Sequence, residues 1–176
     1  MNERYALLLR TQRDLITRCW VDEIYASAQT QLADRLSYRQ LIDHLPALLD
    51  ELGGTLDSAT NTYEISEAAQ RVRYFMHVRF QQGCRIDEVA RELSVLREVI
   101  NDFLWSEIHA PTERDWRDLQ AGLKLTNTFF DELIRQTIVV YAASLRPPVP
   151  TYASIRQPTR QRFRAVNSSS RSARER

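Results

Sequence analysis

From Val89 onward, Leu93, Leu96, Ile100 and Phe103 follow at alternating steps of four and three, so these five residues share one face of a helix. Just before them, Gly83 supplies a residue suited to the left-handed conformation that closes a helix. Asp87 is expected to cap the next one, with Ile86 beside it as a staple. Residues 79–100 therefore read as the tip of a helical hairpin.

The same periodicity extends in both directions. A first helix is expected over about Glu3–Ser27, with Leu8, Leu15, Cys19 and Trp20 turned inward. Ser37 followed by Gln40 predicts a capping box. Pro46 predicts a kink at His44–Leu45 between two short helices, the second carrying Leu48, Leu49 and Leu52 and stopping at Gly53–Gly54. After a polar loop over 57–63, a third main helix is expected from Ser66 to Gln82, and a fourth from Asp87 to about His109. Ala110, Pro111 and Thr112 are expected to form a turn, and Thr112 with Asp115 fits the cap of a fifth helix over Glu113–Leu145. Its apolar positions are Trp116, Leu119, Leu123, Phe130, Leu133, Ile138 and Tyr141. The prolines within residues 146–150 end that helix.

The pattern thus predicts an all-α fold, a globular helical bundle of about five main helices with a long C-terminal one. Composition agrees, because 176 residues at 43% hydrophobic suffice for one core and only four are glycine. The expected organisation is a helical regulatory or sensor domain over 1–146, followed by a flexible, arginine-rich tail or linker over 147–176.

Arg79, Gly83, Glu92 and the Leu96–Arg97 pair, in this order, resemble the N-terminal domain of RsbT co-antagonist proteins of the RsbRD type. The stretch Leu45–Leu56, LPALLDELGGTL, extends the likeness backward. The resemblance implies a sensory helical module of the kind found ahead of sulfate-transporter/anti-sigma-antagonist domains or histidine kinases. It also singles out Arg79, Gly83, Glu92, Leu96 and Arg97 as a structural or signalling motif. A hairpin closing at Gly83 puts Arg79 and Glu92 about equally far from the turn, where an ion pair between them would hold the register.

Charge divides the chain unevenly. Residues 146–176 hold eight arginines against Glu175, a net +7, while residues 1–145 carry −6, so an acidic body precedes a basic tail. That tail, with Tyr152 and Phe163, admits a nucleic-acid-associated adaptor as an alternative, but the acidic body and the lack of a recognised motif argue against it. No uncharged run reaches the roughly 20 apolar residues of a membrane span. Cys19 and Cys84 lie outside any CxxC pattern and point to reduced thiols in a cytoplasmic protein, with Cys19 expected in the core.

Catalytic chemistry finds little support. His44, His77 and His109 form no metal-spaced set, and no serine or cysteine sits in a nucleophile motif. The reading is non-enzymatic, with no cofactor expected. A second alternative is a small-ligand or haem-like sensor whose pocket would combine His77 with Phe75, Phe80 and Phe103. The preferred expectation is a regulatory domain that homodimerises through the apolar positions of the fifth helix and acts on a regulatory protein or kinase module.

Overall fold

The computed structural model describes residues 3–27, 31–58, 61–108 and 112–145, and within them every regular element is helical. In chain order these are α1 (Glu3–Thr11), α2 (Arg13–Ala26), α3 (Leu32–Arg35), α4 (Tyr38–Ile42), α5 (Leu45–Ser58), α6 (Thr62–Val72), α7 (Tyr74–Gln81), α8 (Ile86–Ser106) and α9 (Glu113–Ser144). The expected all-α bundle with a long last helix is what forms. Expectations about the 147–176 tail, the turn at Ala110–Pro111 and His109 fall outside the described residues.

Two of the expected long helices are each divided. The first bends at Gln12, where the Thr11 hydroxyl donates back to the Leu8 carbonyl at 3.2 Å, although Gln12 N–H still reaches Leu8 O at 2.9 Å. Beyond the bend, Ile16, Trp20, Val21 and Ile24 carry the buried face. Leu15 and Cys19 lie one position off that face and are exposed, which corrects their assignment to the core. Cys84 is the buried cysteine instead. The expected third helix divides at Arg73 and begins earlier, at Thr62, because the Asn61 side chain accepts the Glu64 N–H at 3.0 Å.

Gly53 and Gly54 do not stop α5, which runs on to Ser58. Helical glycine costs about 0.5–1 kcal/mol, and buried Leu49, Leu52, Thr55 and Leu56 on either side hold the helix against the core. Pro46 sits in the first turn of α5, where its missing N–H is harmless, and α4 before it is a five-residue helix. The Ser37–Gln40 and Thr112–Asp115 capping boxes both form.

The helix closing at Gly83 adopts φ +80°. Cys84 N–H donates to Arg79 O and Gly83 N–H to Phe80 O, both at 3.0 Å, the paired bonds of a Schellman ending. Asp87 is not the cap of α8. Ile86 is already helical, and the open N–H of Arg85 is met by Glu88 from inside the first turn at 2.7 Å, while Asp87 pairs outward with Arg85.

Helix α9, 32 residues long, is the spine. It packs along α8 and α6 and touches α5 and α7, while α1 lies on α5 and α2 on α8. Trp20, Tyr5, Phe129 and Phe130 are the largest apolar side chains buried between them. Arg97 reaches Asp131 at 2.9 Å across the α8–α9 seam, and Ser66 reaches Glu132 at 2.8 Å across α6–α9.

Candidate functional site

A five-residue helix such as α4 leaves its last carbonyls without partners inside the helix. Those of Gln40 and Leu41 point toward α7, where Arg79 arrives with a guanidinium that is wholly buried. Arg79 Nη1 donates to Gln40 O at 2.9 Å and to Gln82 Oε1 at 3.0 Å. Nη2 donates to Leu41 O at 2.8 Å and to Glu92 Oε1 at 2.6 Å, and Nε donates to Glu92 Oε2 at 2.9 Å. Five N–H protons therefore meet five acceptors, and one side chain closes α4, α7 and α8 onto each other.

Glu92 is 1% exposed and faces two donors. Besides the fork from Arg79, its Oε1 lies 3.4 Å from His44 Nε2. Since all five Arg79 protons are already committed, the 3.4 Å approach of Arg79 Nη2 to the same nitrogen adds no bond, and the neutral His44 tautomer that fits carries its proton on Nε2 and donates to Glu92. Burial pushes the His44 pKa below its ordinary value and outweighs the pull of Glu92 in the opposite direction. For Glu92, burial pushes upward, but hydrogen bonds from His44 and Arg79 together with the arginine charge hold the carboxyl below its usual range. The result is a neutral histidine against a buried ion pair.

Aromatic rings wall this cluster. His44 stacks on Phe75 with centroids 3.6 Å apart and planes 14° apart, Trp20 meets His44 edge-on at 6.5 Å, and the Arg79 guanidinium carbon lies 5.1 Å from the Phe75 centroid. The Trp20 Nε1–H reaches the Glu92 carbonyl at 3.4 Å. On its outer side the cluster opens into a cleft of about 290 Å³ whose walls include His44, Leu48, Val72, Phe75, Val78, Arg79 and Gln82.

The sequence motif is thus brought together in part. Arg79 and Glu92 pair, and Gly83 closes the turn between them, with its carbonyl held by Arg35 Nη1 at 2.8 Å. Leu96 is a core residue, and Arg97 belongs to the α8–α9 seam rather than to the cluster. Of the four residues drawn around a haem-like ligand, Phe75 lines the cleft. His77 is exposed, Phe80 leans on Tyr141 at 5.2 Å, and Phe103 is half-buried on α8. The histidine at this site is His44, which lies between α4 and α5 and donates to Glu92, a role that no local sequence signal marks. Gln82 and Trp20 carry no comparable sequence signal as partners.

The residues expected to form a dimer surface divide as well. Leu119, Phe130 and Leu133 are buried within the chain, so they are not available to a second copy. Leu123 and Tyr141 are half-buried, while Trp116 and Ile138 are exposed, together with neighbouring Val139. Among the described residues no cluster of three or more His, Cys, Asp or Glu could hold a metal ion, and no helix is long and apolar enough to cross a membrane.

No curated protein and no solved structure matches the chain. A family model does, the RsbT co-antagonist protein RsbRD N-terminal domain, over residues 14–146. That span runs from the second helix through the whole of the ninth and contains every member of the Arg79–Glu92–His44 cluster. The chain therefore belongs to the RsbRD N-terminal domain family, a family of regulatory domains in stress signalling.

Proposed function

We propose that this domain is a non-catalytic, cytoplasmic regulator that switches an output module or partner protein, of histidine-kinase or stress-response type, by changing its own helix packing and self-association. The observation that carries the reading is the buried Arg79–Glu92–His44 cluster. An ion pair desolvated this completely contributes little net stability compared with apolar residues of the same size, yet it specifies one packing sharply, because every donor must find its acceptor. The cluster sits where a short helix and a chain reversal meet α7 and α8, and α8 lies along the spine α9. A displacement of α4 or α7 breaks it in one step, which is the behaviour of a two-state element.

Output runs through α9. Its C-terminal half presents Ile138 and Val139 at 54% and 55% exposure, a pair of β-branched side chains suited to a second copy of the helix. The test is the mass of the full chain by light scattering over a concentration series, compared with Ile138→Glu/Val139→Glu. A dimer that becomes a monomer on substitution, with helicity and melting temperature unchanged, supports the reading. Wild-type protein that stays monomeric throughout removes self-association as the route.

A further inference from the structure

The cleft outside the buried cluster has a composition that selects among ligands. Its floor is apolar, built from Leu48 of α5, Val72 of α6 and Phe75 and Val78 of α7. Its charged groups are largely spent. Arg71 forks onto Glu51 through Nε and Nη2 at 2.9 and 2.8 Å, and every Arg79 proton is engaged. An anion entering the cleft would find no free guanidinium N–H of Arg79, only Nη1 of Arg71, whose side chain is 57% exposed and already neutralised by Glu51. Asp43 keeps a carboxylate without a partner among the described residues, but it lies exposed at the rim. A cation would exchange its hydration for one solvated carboxylate while burying the rest of itself on an apolar floor.

Gln40 and Tyr74 also line the cleft but are exposed, and two less exposed polar groups remain, His44 and Gln82. With Nε2–H turned to Glu92, the neutral His44 ring retains an acceptor at Nδ1 that no described residue fills. Gln82 spends its carbonyl oxygen on Arg79 and keeps its amide N–H donors. An acceptor and a donor beside an apolar floor match a hydroxyl, which offers one of each. A volume of about 290 Å³ is at the small end of ligand sites, roughly twice the ~150 Å³ that holds benzene, so it admits a one- or two-ring molecule.

We propose that this cleft binds a small, uncharged, largely apolar hydroxyl compound, such as a simple phenol or alicyclic alcohol, whose hydroxyl is received by His44 Nδ1 and the Gln82 amide. Binding joins the α4–α5 junction to α7 over the outside of the cluster that already joins them from within. It therefore favours the packing in which Arg79 holds the α4 carbonyls. The proposal supplies an input for the regulatory function argued above and rests on that reading for its consequence, but not for the binding itself.

The experiment titrates the ¹⁵N-labelled full chain with phenol, toluene, benzoate and benzylamine, following amide shifts, and measures solution mass in the same samples. Phenol is expected to move the resonances of Leu48, Phe75 and Val78. Toluene, lacking the hydroxyl, is expected to bind about five- to tenfold more weakly, the loss of one or two neutral hydrogen bonds. Benzoate and benzylamine are expected to bind more weakly than phenol by about tenfold or more, since each gives up its hydration for only a solvated charge at the rim, Arg71 or Asp43. Ala47→Phe, which fills the cleft from an exposed position in the first turn of α5, should abolish the shifts while leaving the melting temperature in place. Absent phenol shifts, shifts undiminished in Ala47→Phe, or a preference for benzoate or benzylamine would each overturn the proposal. Phenol binding with no change in mass leaves the site standing and removes its link to self-association.

Discussion

Arg79 does more than pair with Glu92, and that difference is measurable. Arg79→Met leaves the Glu92 carboxylate buried without its cation, and removal of one partner of such a pair costs about 3–5 kcal/mol. In a simple buried pair, replacing both members by apolar residues restores most of that loss. Here the double variant Arg79→Met/Glu92→Leu still abandons the Gln40 and Leu41 carbonyls, each worth about 1–3 kcal/mol if left unsatisfied. Chemical denaturation should therefore show the double variant clearly less stable than wild type. Full recovery would mean that the carbonyl bonds carry no weight.

The same residues set the response to acid. His44 is held below its ordinary pKa of 6.5, so the unfolded chain takes up a proton first and stability falls as pH drops below about 6.5. Glu92 is held below 4.5, so its contribution is present above that value and is lost as pH falls through the lower folded-state pKa. Glu132, brought down to about 2 chiefly by Arg135, adds a smaller loss in the same low range because it is partly solvated. Both arms descend toward acid. His44→Gln should flatten the arm that begins below about pH 6.5 in denaturation midpoints while leaving the carboxylate arm below about pH 4.5. An unchanged profile would show that His44 does not titrate in this way.

At the level of helices, what the sequence made legible and what it concealed have identifiable causes. The α7–α8 reversal was readable because one glycine and the period of Val89 to Ile100 are local signals, and both hold. The caps at Ser37 and Thr112 were readable for the same reason. The division at Gln12 was concealed, since a single bend shifts the buried face by one position and carries no proline or glycine to announce it. The run through Gly53–Gly54 is hidden from the sequence because glycine propensity says nothing of the four buried residues that hold the helix. His44 is one of three histidines dispersed along the chain, and its role depends on α4 and α8 meeting, which no local pattern states.

Two glycines give opposite expectations. Gly83→Ala forces an L side chain into φ +80° and should cost about 1–2 kcal/mol, although space around it is open. Gly54→Ala also meets open space, but within helical backbone, and should stabilise by about 0.5–1 kcal/mol. Urea midpoints moving in opposite directions would confirm that backbone conformation, rather than crowding, distinguishes the two.

For the whole molecule, the architecture places a strictly defined polar cluster, in which every Arg79 N–H is paired, at one side of the bundle and a partly uncovered apolar stretch on its spine. The regulatory reading requires the two to be coupled. Residues 44 and 92 are separate from Ile138 and Val139 in the chain and do not belong to that exposed stretch. The decisive measurement is the dimer dissociation constant of the full chain by sedimentation equilibrium, for wild type, His44→Gln and Glu92→Gln, with folding verified by circular dichroism. A shift of about tenfold or more in a variant that retains its helicity, equivalent to about 1.4 kcal/mol of coupling, is the predicted result. An identical constant in all three folded proteins would contradict it and leave the cluster as a device for packing alone.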